Sequence, residues 1–215
     1  MELTTKTKAI MARCTYNLLL EAYKSRQVKR VEEFMKFVDL RYESMASVDQ
    51  VKLNDYINSE TGQEILANFA DSITQTSSRR VRMATALLYC QDCELDFSKS
   101  EKITFVSAIK DLDDDMVNFF LKVCQLERQT VGLPYPRAGI HHNNHYLFRD
   151  CGWDEEATFV YINDLIRLRL LLPDPKSFSV VAGDGTGWAV WFGVTDRSLR
   201  IASLLNKAES LLIEI

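Results

Sequence analysis

Val31-Glu-Glu-Phe-Met-Lys-Phe-Val-Asp-Leu-Arg-Tyr-Glu-Ser-Met45 carries the pattern on which the fold turns. Val31, Phe34, Met35, Val38, Tyr42 and Met45 recur at spacings of three and four, and Glu32, Glu33, Lys36 and Asp39 sit between them. An α-helix turns once every 3.6 residues, so this spacing gathers the apolar side chains on one stripe and predicts an amphipathic helix. Upstream, from about Thr5 to Arg26, Ile10, Cys14 and Leu18 share a stripe that Leu19, Leu20, Ala22 and Tyr23 widen. The two stretches read as an antiparallel helical hairpin turning near Ser25 to Gln27, or as one long bent helix.

The same period continues downstream. Residues 48–58 give a weaker helix. Thr61 and Glu64 have capping-box spacing before Ile65, Leu66, Phe69 and Ile73. Thr76 to Ser78 is a break, and Val81, Ala84, Leu87 and Leu88 mark a helix running to about Gln91. Ser98 and Glu101 repeat the capping-box spacing ahead of Ile103, Val106, Ile109 and Leu112. Asp113, Asp114 and Asp115 then form an acidic helix start, favourable against the positive end of the helix dipole, followed by Met116, Phe119, Phe120 and Val123. Up to Arg128 every element reads as helix.

Residues 129–153 change character. They have no helical period and hold two of the four prolines, Pro134 and Pro136. So long an irregular stretch is uncommon in a compact domain; it is functional, mobile, or hides a short element, for which 144–149 is the candidate. Asp154-Glu-Glu156 opens a further helix through Phe159, Ile162, Leu165 and Ile166, which Pro173 and Pro175 terminate. Residues 177–182 and 188–192 are strand-like runs around Gly183-Asp-Gly-Thr-Gly187, a β-hairpin signal. Thr195 or Asp196 caps a last helix carrying Leu199, Ala202, Leu205 and Ala208. The expected fold is mainly α: a helical region over 1–97, then a region over 98–215 with a long irregular loop at 129–153 and one β-hairpin.

Helix, Pro-bounded break, hairpin and helix resemble the ending of prokaryotic winged-helix modules. Ile162-Asn-Asp-Leu-Ile-Arg-Leu-Arg-Leu-Leu-Leu172 resembles their third helix, and Val194-Thr-Asp-Arg-Ser-Leu199 resembles the Leu-Thr-x-x-Gly that follows their wing. The helices at 99–112 and 114–128 would be the first two of the unit. The helical front is similar to bacterial abortive-infection-alpha-like proteins, which implies a prokaryotic protein connected with phage defence. The chain departs from the winged-helix pattern in that Arg169 and Ser198 stand where glycines would be. The would-be recognition helix carries Asp154, Glu155, Glu156 and Asp164 against Arg167 and Arg169, and the wing has no Lys or Arg between Ser177 and Val194. A helix docked in a major groove meets phosphates on both sides, so sequence-specific duplex DNA binding is not expected.

Composition excludes other classes. Of 215 residues 47% are apolar and 26% charged, with 8 Gly and 4 Pro, which rules out a disordered chain, a collagen and a disulfide miniprotein. The first residues place no continuous apolar core behind their charges, and no run approaches the roughly 18 apolar residues that span a bilayer. Five cysteines, with Cys14, Cys124 and Cys151 isolated, suit a reduced compartment. A cytoplasmic protein with no membrane partner is expected. Net charge is +2 over 1–50, −4 over 51–128 and −2 over 129–215, so no region has the basic excess of a phosphate binder. The local exception is Arg79, Arg80 and Arg82, a candidate partner-binding cluster or a solvated face.

Candidate chemistry is sparse. Cys90 and Cys93 have the two-ligand spacing of a zinc knuckle, but zinc takes four ligands, and His142 and His145 would have to complete the set. The bland alternative is two ordinary thiols at a helix end. His141, His142, His145 and Cys151 invite a Cys–His nucleophile, yet nothing in the sequence builds an oxyanion hole, and a polar loop is the simpler reading. Gly183 to Gly187 precedes a strand, not the helix N-terminus that a phosphate cradle requires. No catalytic residue and no cofactor is therefore expected, zinc being the alternative. The function expected is a non-enzymatic interaction or adaptor protein; the alternative is a winged-helix nucleic-acid-binding transcriptional regulator. Leu18, Leu19 and Leu20 cannot share one stripe, and Trp188 and Trp191 lie three apart on a strand, which sends them to opposite faces. The surplus apolar surface predicts a protein partner and a homodimer built on the N-terminal helices or the wing.

Overall fold

The computed structural model describes residues 5–60, 69–90, 97–176 and 187–214, with the backbone alone described at 5–20, 22, 57 and 99. It is mainly helical with a small three-stranded antiparallel sheet. Helix α1, Thr5–Ser44, runs without a turn at 25–27, so the single-helix alternative holds and the hairpin does not. Its core stripe is rotated from the expected one. Phe34, Phe37 and Val38 are buried, whereas Val31 and Met35 are 39% and 46% exposed. Turning Phe37 inward buries a larger apolar side chain than Val31 or Met35 offers. Helix α2, Ser47–Asn58, contributes Leu53 to the same core, and Phe69 and Ile73 enter from helical residues 69–73. The Thr61 capping box lies outside the described residues.

Helix α3, Arg79–Tyr89, is the hub. Its cap is Ser78, whose hydroxyl oxygen accepts the Val81 N–H, and every residue from Val81 to Tyr89 is buried. A helix buried on all sides must be covered on all sides. Here α1 packs on one flank and α8, Asp196–Ile213, on another, through Ile201, Leu204, Leu205 and Ala208. Helix α4, Lys99–Ala108, starts on the expected Ser98–Glu101 capping box, and a 3-10 turn over Ile109–Asp111 leads to α5, Asp114–Cys124, capped by Asp113. Because α8 packs on both α3 and α5, one continuous core joins 1–97 to 98–215.

The stretch 129–153 hides two elements. Strand β1, Arg137–His141, precedes α6, Tyr146–Arg149, which falls in the expected place. Helix α7, Glu155–Arg167, starts on Asp154. Strand β2 is Leu172–Pro173 and β3 is Ala189–Gly193; the order across the sheet is β1-β3-β2, antiparallel throughout. The expectation of a lone 177–193 hairpin is thus corrected to a three-stranded sheet. The hairpin's second arm, β3, pairs along its length with β1, Gly139 opposite Trp191, and at one end with β2, Leu172 opposite Gly193. The first arm, 177–182, and most of the glycine turn lie outside the described residues.

β1 was hard to read because its pattern is short. Only Ala138 and Ile140 alternate toward the core, and Gly139 between them is a poor strand former. The glycine is nevertheless required: a Cβ there would meet Trp191 ring carbons at 2.5–2.7 Å. The two tryptophans take opposite sides, as period two demands. Trp191 lies over Gly139 with the Arg137 guanidinium 4.1 Å from its ring centre, while Trp188 meets His145 and Phe159.

Candidate functional site

The inner face of α7 is fixed by Thr158, Ile162 and Leu165, all buried. At 3.6 residues per turn that choice leaves Glu155, Glu156, Phe159, Val160, Asn163 and Arg167 outside. Trp188, just before β3, reaches over the edge. Its ring centre is 5.3 Å from Phe159 and 5.0 Å from His145. His145 is buried and its Nε2 lies 3.2 Å from the Thr158 hydroxyl, which holds the α6 start against α7. Tyr146 beside it is 52% exposed, Val160 50% and Phe159 37%. These three and Trp188 make an apolar surface at the α6–α7 corner.

Charge on this surface is acidic at one end. Asp154 spends its carboxylate on the Ala157 N–H at 2.8 Å, leaving Glu155 and Glu156 exposed in the first turn. Arg167 at the other end pairs with Asp164 and Asp111. With the Arg167 end neutralised by its two carboxylates, an apolar centre behind an acidic end can seat an apolar side chain, and the acidic end repels phosphate.

The arginine cluster serves the fold. Arg79 donates to Glu33 at 2.8 Å and lies over the Phe37 ring. Arg82, buried, donates to the other Glu33 oxygen and to the Thr76 and Ser77 carbonyls. Arg80 pairs with Glu209 at 2.6 Å and donates to Asn118. Arg79 and Arg82 share Glu33 while Arg80 points to Glu209 and Asn118, so together they tie α3 to α1, α5 and α8. Glu33, the acceptor that orders two of them, has no signal in the sequence beyond its place on a helix. Trp191 is likewise covered from within, by Arg137, which in turn pairs with Asp174.

The zinc candidates separate as far as they are described. The Cys90 thiol is buried against the Val38 carbonyl, His145 is held by Thr158, His142 is exposed, and Cys93 lies outside the described residues. Among the described residues no three potential ligands converge. Cys151 is exposed, its Sγ on the Leu147 carbonyl, while the His145 ring meets Thr158. Burial pushes the Cys124 thiol up to about 12, so it stays protonated near neutral pH and is no nucleophile. No helix among the described residues is long and apolar enough to cross a membrane. No family model, curated protein or solved structure matches the chain.

Proposed function

We propose that the chain is a non-enzymatic interaction protein whose C-terminal part is a winged-helix-like module turned toward protein instead of DNA. Element order supports the module: α5, β1, α6, α7, β2, a connection where a wing would lie, then β3, with strands ordered β1-β3-β2. On this reading the first helix is α5 and the second is the short α6, one step along from the helices at 99–112 and 114–128. α7 then takes the recognition position.

The observation that carries the reading is the outer face of α7, where Phe159 and Val160 stand exposed beside Tyr146 and Trp188 behind an acidic first turn. The partner that fits is a second copy. Two α7 helices laid antiparallel across a two-fold axis bring Glu155 and Glu156 of one copy to Arg167 of the other, which then shares its guanidinium between them and its own Asp164 and Asp111. Phe159, Val160 and Asn163 then meet near the centre, and the helix dipoles oppose favourably. A prokaryotic, cytoplasmic adaptor connected with phage defence is the setting that the sequence resemblance implies.

A duplex-binding regulator is the second reading, favoured by strand order alone. Anisotropy of a labelled duplex at low salt separates the two. No sequence-dependent binding is expected; tight binding of one duplex sequence over a scrambled one would overturn the protein-partner reading.

A further inference from the structure

Away from the α7 face, α1 and the start of α3 border an open cleft of about 740 Å³. The α1 positions lining it, 25, 26, 29, 30, 32, 33, 36, 37 and 40, recur at three and four, so one broad helical face supplies them. The cationic lining is Arg26, Lys29, Arg30 and Lys36 from α1, with Arg79 and Arg82 from α3. Two carboxylates oppose these six cations, Glu32 and Glu33, in a chain whose net charge is −4.

Pairing concentrates the excess. Glu33 is already shared by Arg79 and Arg82, and Arg30 donates to the Thr74 carbonyl at 2.6 Å. Arg26, Lys29 and Lys36 are exposed and make no hydrogen bond or ion pair among the described residues. Arg26, Lys29 and Arg30 fall within about one helical turn. Burial lowers the Arg30 pKa, and repulsion from Arg82 and Arg26 lowers it further. Phe37 and Leu40 give the cleft an apolar floor.

We propose that this cleft binds a compact phosphorylated anion of nucleotide size. Its volume lies within the roughly 300–1,000 Å³ of small-molecule sites. Several positive charges crowded into one turn match a polyphosphate, which packs its negative charge as densely, better than an extended acidic peptide, which spreads it. Guanidinium forks offer phosphate paired donors, and a mobile lysine adds a point charge.

Calorimetric titration of the full chain at low salt with inorganic triphosphate and with ATP tests the site. Both are expected to bind. Arg26→Glu with Lys29→Glu should weaken binding about tenfold or more, since each charge-assisted contact is worth more than a neutral hydrogen bond. Both positions are exposed, and circular dichroism checks that the variant folds. Lys110→Glu, exposed on the 3-10 turn, should bind as the unaltered chain does. Equal affinity for the two ligands assigns the site to the phosphate chain alone; tighter ATP binding adds the nucleoside. Absence of binding, equal loss in Lys110→Glu, or a poly-glutamate peptide binding more tightly than triphosphate would overturn the proposal.

Discussion

Arg169 has φ +60°, in the left-handed region, immediately beyond α7. Helix ends commonly adopt this conformation, and glycine favours it because a Cβ crowds the backbone there. The sequence marked the position as one where a glycine was expected, and the backbone kept the conformation without it. The side chain is exposed, and it is the backbone carbonyl that accepts a bond from Arg197, so the side chain adds little of its own. Arg169→Gly should therefore stabilise the fold by about 0.5–1 kcal/mol, a rise of about 1–4 °C in melting temperature, with Arg169→Ala unchanged. Ser198 replaces the other expected glycine for a different reason. Its hydroxyl, buried, donates to the Leu170 carbonyl at 2.7 Å and accepts the Thr195 N–H, so it ties the start of α8 to the end of α7. Both departures were visible in the sequence; what each does depends on backbone angles and partners that it does not encode locally.

Elements whose signals are local were legible. Ser98 with Glu101, Asp113, Asp154 and Thr195 each cap the helix they introduce. What needed tertiary partners was not. β1 exists because β3 pairs with it, and the core stripe of α1 is set by what α3 presents. The α1–α3 contact rests on Glu33, shared by exposed Arg79 and buried Arg82. Glu33→Gln should cost about 1–3 kcal/mol in chemical denaturation because it leaves the buried guanidinium uncompensated. Arg79→Gln, removing the exposed partner, should cost under about 1 kcal/mol. A second tie joins α4 to α8 through Glu101 and Arg200. Burial works to raise the Glu101 pKa, but the Arg200 guanidinium and the Ser98 N–H and hydroxyl outweigh it and hold the carboxyl below its ordinary value. A carboxylate depressed in the folded state stabilises it above the unfolded pKa, and that contribution disappears as pH falls through the folded value. Glu101→Gln should flatten the acid limb of stability against pH and leave the neutral-to-alkaline limb parallel to that of the unaltered chain.

At the scale of the molecule, one core joins the helical front to the sheet, and exposed Tyr146, Phe159 and Val160 lie on α6 and α7. The sequence placed the surplus on the N-terminal helices or on Trp188 and Trp191 of the wing. Arg137 covers Trp191, and Phe159 and His145 share Trp188, so the exposed part moves to Tyr146, Phe159 and Val160. No local pattern distinguishes Val160 from a core valine, because the face a helix buries is chosen by its neighbours. If the corner is the self-pairing surface, placing a carboxylate at its centre desolvates a charge against its own copy. Light scattering at micromolar concentration, on the unaltered chain and on Val160→Glu, measures this directly. The unaltered chain should run at about twice 24.7 kDa and the variant at 24.7 kDa, with the same helical content. A 24.7 kDa monomer for the unaltered chain, or a dimer that survives the substitution, would contradict pairing through this corner.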